Sequence, residues 1–151
     1  MPIPPVLDLG GYIDPHGDFY PYDEGHGSWA IENASAIGRR PEDFVGPDAS
    51  FDALSAFLRA GWLRVPSEGG VHVNRLTKSN VGFVKAAIRA QAKTLARADT
   101  DFTRLYVDVG LTSPPNSIEI RVDRDGEPDD LDKLDVLVEK PKHNRSRRRS
   151  A

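Results

Sequence analysis

Histidines and carboxylates gather near the start of the chain, in Asp14-Pro15-His16-Gly17-Asp18 and again in Asp23-Glu24-Gly25-His26. Imidazole and carboxylate together can ligate zinc, manganese or non-haem iron, so a metal-dependent enzyme using His16, His26 and these acids is one reading. The spacing follows no established metal motif, and Asp-Pro-x-Gly is ordinary turn chemistry. An acidic turn is therefore expected, with no metal or other cofactor. His72 lies between Val71 and Val73 and alternates away from them, which predicts a surface histidine rather than a base. The chain has no cysteine, and this removes disulfides, thiolate zinc sites, iron–sulfur clusters and cysteine nucleophiles. Gly-x-Ser-x-Gly, Ser-x-x-Lys and His-Glu-x-x-His are absent, and Gly10-Gly11 and Gly69-Gly70 are isolated pairs rather than phosphate loops. Asp129, Asp130, Asp132 and Asp135 lack regular ligand spacing and read as a solvated acidic face. No catalytic residue is assigned.

The strongest pattern is basic. At 100° per residue, Lys85, Arg89, Lys93 and Arg97 step only about 40° each and make one ridge along a helix. No acid lies between Val71 and Ala98, so nothing in that helix neutralises the ridge. A second basic stretch runs from Lys140 to Arg149 and includes Arg145, Arg147, Arg148 and Arg149. Flexible basic tails hold phosphate backbones through counterion release and without sequence preference, and they also contact acidic protein surfaces. No aromatic residue interleaves this tail, so base stacking is not expected there. The net charge of −3 conceals the segregation: residues 1–50 carry −7, residues 51–100 carry +5 and residues 101–151 carry −1. Ordinary pairing of the ridge with the acidic N-terminal half competes with an external anionic partner.

The elements that would position these groups follow from periodicity and breakers. Tyr12-Ile13 and Phe19-Tyr20 flank the Asp14–Asp18 turn and predict a hairpin. A short helix capped by Ser28 stops at Gly38, and Arg39 to Pro47 reads as loop. Ser50 is expected to cap a second helix with Phe51, Leu54, Phe57 and Leu58 as its stripe and Gly61 as its end. Trp62–Val65 is a strand, with Val71–Val73 returning beside it. Helix three, capped by Thr77 or Ser79, carries Val81, Val84, Ile88 and Leu95 on one side to about Ala98. Leu105–Val109 and Ile118–Val122 alternate as strands joined across Pro114-Pro115. Leu131, Leu134, Val136 and Val138 fit a strand or a frayed helix equally.

With 151 residues, 38% of them hydrophobic and 28% charged, the chain is sized for one domain. The expectation is an α+β fold over residues 1–140, a small antiparallel sheet with about three helices, followed by a flexible basic tail at 141–151. No apolar run is long enough to span a membrane and the N-terminus has no signal-peptide pattern, so a cytoplasmic location is expected.

Four pieces in order carry a resemblance: Gly11-Tyr12-Ile13-Asp14-Pro15-His16-Gly17, His26-Gly27-Ser28-Trp29-Ala30, Leu58-Arg59-Ala60-Gly61-Trp62-Leu63-Arg64-Val65, and the Thr77-led helix followed by Leu105–Val109. Over roughly residues 10–110 the chain resembles a small domain of phage and prophage proteins, including large multidomain polyvalent proteins. Gly11 before Tyr12, and Val71-His72-Val73-Asn74 as the later strand, depart from that pattern. The resemblance implies a phage or mobile-element origin, with no activity attached, and structural roles for Tyr12, Asp14, His26, Trp29 and Trp62. The combined expectation is a non-enzymatic accessory protein that binds nucleic acid or an acidic protein surface through Lys85, Arg89, Lys93, Arg97 and the tail arginines. A virion-associated structural protein is the third reading.

Overall fold

The computed structural model describes residues 10–22, 26–67, 69–97 and 104–139, and of 26–28 the backbone alone. Strands β1 (Gly11–Ile13) and β2 (Phe19–Pro21) form the expected hairpin, with Tyr12 opposite Tyr20. β1 pairs next with β3 (Leu63–Val65), and β3 with β4 (Val71–Val73), both antiparallel. β4 then pairs parallel with β5 (Arg104–Val109), which pairs antiparallel with β6 (Asn116–Arg121). The result is an α+β fold on a six-stranded sheet in the order β2-β1-β3-β4-β5-β6. It is larger than the sequence suggested, and mixed rather than antiparallel. A parallel pair needs a long crossover, and helix α3 (Val81–Arg97) supplies it between β4 and β5.

Strand alternation sends side chains to two faces. Ile13, Leu63, Val65, Val71, Val73, Leu105, Val107 and Ile120 point toward α3, which packs Val84, Ala87, Ile88, Ala92 and Leu95 against them. The other face carries Tyr12, Trp62 and the helices α1 (His26–Asn33) and α2 (Ala49–Arg59). Helices therefore cover both faces, where one had been expected.

Local chemistry explains three of the element ends. Gly38 closes the turn after α1 in the left-handed region at φ 72°, and Gly61 follows α2 at φ 93°. Before α3, the Asn80 amide donates to Thr77 Oγ1 and Asn80 Oδ1 accepts from the Thr77 amide, a reciprocal cap that uses Thr77 as expected.

Several expectations need correction. α2 begins after Asp48, so Ser50 sits inside it, and Ser28 likewise lies within α1. Phe51 is 55% exposed because Ala53 and Ala56, together with Phe57 and Leu58, form the buried side of α2. The stretch expected as loop contains a 3-10 turn, Pro41–Phe44, that delivers Phe44 to the core. The last segment is a 3-10 helix, Leu131–Leu137, with Leu131 and Leu134 buried and Val136 exposed. His72 is buried, contrary to the surface reading. Its Nε2 donates to the Gly110 carbonyl at 2.8 Å, so the β5–β6 loop closes over it.

Candidate functional site

α3 holds the basic ridge as the sequence predicts, but tertiary structure divides it. Lys85 Nζ lies 3.2 Å from Asp132 Oδ1 and 3.1 Å from Asp135 Oδ1, and its side chain is only 15% exposed. The hydrogen bond to Asp135, helped by Asp132, holds the Lys85 ammonium above its ordinary pKa. Lys93 Nζ meets Glu127 Oε2 at 2.6 Å. Arg89 and Arg97 are exposed and make no ion pair among the described residues. Among the described residues the cations thus alternate along the helix, ion-paired then without an acidic partner.

Among the described residues the neutralising acids come from the C-terminal side, not from the acidic N-terminal half. Asp123 Oδ1 accepts the amides of Asp125 and Glu127 and shapes a tight turn. Gly126 lets that turn approach α3: a Cβ there would stand 3.1 Å from Lys93 Cα and from the Ala92 carbonyl. Buried Leu131 and Leu134 then anchor the 3-10 helix that presents Asp132 and Asp135. Near the end of α3, Lys93, Ala96, Arg97, Arg124 and Asp125 line a recess of about 270 Å³. The tail arginines Arg145, Arg147, Arg148 and Arg149 lie outside the described residues.

The N-terminal acids behave as turn formers where they are described. Asp14 is buried; its Oδ1 accepts the His16 and Asp18 amides at 2.9 Å, and its Oδ2 accepts the Tyr20 hydroxyl at 3.0 Å. That hydrogen bond raises the Tyr20 pKa. His16 is exposed, and among the described residues no group of three or more potential ligands is placed to hold a metal. Asp23, Glu24 and the His26 side chain fall outside the described residues. Tyr12 and Trp29 stack with ring centroids 4.7 Å apart, and Phe57 meets Trp62 edge-on at 5.0 Å. Burial pushes the Tyr12 phenol well above its ordinary pKa, as suits a core residue. Trp62 is buried and Trp29 half-buried.

One juxtaposition escaped the sequence reading. Tyr12, Arg64, His72, Asp108 and Ser117 pair in register across five adjacent strands. Serine, histidine and aspartate therefore lie side by side, but the connections are wrong for nucleophilic catalysis. The Ser117 hydroxyl donates to Asp108 at 2.5 Å, and His72 Nε2 donates to a backbone carbonyl. A triad needs the histidine between the other two. Only the pairing of five strands creates the row, so no local signal announces it. Gln91 also went unnoticed on the buried side of α3, where its Oε1 accepts the Gly70 amide at 2.6 Å. Comparison with family models, curated proteins and solved structures finds no match to this chain.

Proposed function

We propose that this protein is a non-enzymatic accessory protein that holds nucleic acid by its phosphate backbone, through Arg89, Arg97 and the arginines at 145 and 147–149. The observation that carries this reading is the exposure of Arg89 and Arg97, without acidic partners among the described residues, on a ridge whose two lysines are occupied. Guanidinium groups pair phosphate oxygens bidentately. The two arginines sit eight residues apart on one face, about 12 Å along the axis, a placement suited to successive contacts with an extended polyanion. The resemblance to phage and prophage domains suggests a phage or mobile-element setting, in an infected or host cell.

Fluorescence anisotropy of labelled duplex and single-stranded DNA tests the reading on the full chain and on a chain ending at Lys140. The full chain should bind without sequence preference, and the shortened chain more weakly, with a flatter salt dependence. No retention of either DNA at about 50 mM salt, where phosphate contacts are strong, would end the nucleic-acid reading. Capture of an acidic protein in its place would redirect the same arginines.

A further inference from the structure

At the opposite end of α3, two recesses adjoin and share Gly61 and Asn80 in their linings. The first, about 470 Å³, is mostly apolar and is walled by Pro15, Gly82, Phe83 and Ala86. The second, about 600 Å³, is polar and includes Arg59, Asn74 and Arg75. Arg59 is exposed and has no ion pair among the described residues, while Arg75 touches Glu139 at 3.9 Å, too far for a good hydrogen bond. Among the described residues no carboxylate lines either recess.

The topology explains why a crevice forms there. Val73, Asn74 and Arg75 continue from the carboxyl end of β4, and Leu111 follows the carboxyl end of β5, its parallel neighbour. Open sheets with parallel strands bind ligands in the crevice outside such ends. Apolar walls leading to a few convergent polar groups are also the usual make-up of a small-molecule site.

We infer that this cleft binds a small amphipathic anion, with a short apolar chain against Pro15, Phe83 and Ala86 and its anionic head between Arg59 and Arg75. Charge complementarity selects the head, because among the described residues the two cations face no lining acid and a guanidinium forks onto carboxylate or phosphate equally. The adjoining apolar recess selects the chain. The cleft uses different cations from the proposed DNA contacts, Arg59 and Arg75 rather than Arg89 and Arg97, although its lining residue Ala86 stands only about 4.5 Å along α3 from Arg89.

Gly82 provides a clean block. A Cβ there meets nothing within 4 Å, so a side chain can start from this lining position, and Gly82→Leu, which also suits the helix, is the blocking variant. Calorimetric titration of the full chain with octanoate is the test, with octyl phosphate as a second head and octanol as the uncharged comparison. Octanoate, octyl phosphate or both should bind saturably at one site, and whichever is tighter assigns the head. Octanol should bind at least about tenfold more weakly, since a charged hydrogen bond is lost. Gly82→Leu and the double variant Arg59→Gln/Arg75→Gln should each weaken binding about tenfold or more, while Lys78→Gln and Arg97→Gln leave it unchanged. Circular dichroism verifies that the variants fold. Absence of saturable binding by both anions, or binding indifferent to both cleft variants, would overturn the inference.

Discussion

The lysines and the arginines of α3 share one ridge but not one environment. Lys85 and Lys93 face Asp132, Asp135 and Glu127, which lie on a turn and a 3-10 helix brought over from the C-terminal side. Arg89 and Arg97 face solvent. Four cations at helical spacing make a ridge in sequence, yet the fold decides which of them remain available to a partner. The difference lies in the neighbouring segment, because Gly126 and Leu134 determine how closely the acids approach.

The sharpest way to break this contrast is to loosen the segment that brings the acids. Leu134 is completely buried, and Leu134→Ala should cost about 2–5 kcal/mol in chemical denaturation. It should also increase the reactivity of Lys85 toward amine-acylating reagents, read by mass spectrometry. Trp62→Ala should cost about 3–5 kcal/mol but leave Lys85 protected, because Trp62 packs in the aromatic cluster on the other face. Equal deprotection of Lys85 by both variants would mean that the two faces unfold together and the segment has no separate hold on the ridge.

A smaller effect is expected at Gly126. Its φ of 80° and close approach to α3 make Gly126→Ala unfavourable by about 1–3 kcal/mol. Stability equal to the parent would show that the turn does not press on the helix. Lys85→Gln should have a still smaller effect, since its partners Asp132 and Asp135 are solvent-exposed and such ion pairs contribute little. Its pH dependence carries the sign. The Lys85 pKa is raised in the fold above 10.5, so the contribution of its charge is complete below that value and disappears as pH rises through the folded one. Melting curves of parent and variant should therefore converge in strong alkali, and a gap that stays constant would contradict the pairing.

Local pattern revealed α3, the hairpin, and the alternation of β5 and β6, because each depends on neighbours within a few residues. It missed whatever required distant partners. Asp132 reaches Lys85 across 47 residues, and the parallel pairing of β4 with β5 depends on the whole crossover. The surface reading of His72 failed for the same reason, since Gly110 closes over it from another strand's loop. In α2 the hydrophobic scale favoured Phe51, whereas alanines at 53 and 56 permit the close contact that buries the opposite side. Of the candidate site, the ridge was legible and its partial neutralisation was not. The cleft at Arg59 and Arg75 is assembled from loops that periodicity does not describe.

The salt dependence of DNA binding by ridge variants tests the central claim most directly. Each phosphate contact contributes about one unit to the log–log slope, so Arg89→Gln/Arg97→Gln should flatten it by about two units. Lys85→Gln should leave it unchanged, because that ammonium is already held by Asp132 and Asp135. If Lys85→Gln flattened the slope as one arginine does, or the double arginine variant did not alter it, the division of the ridge into partnered and available cations would be wrong.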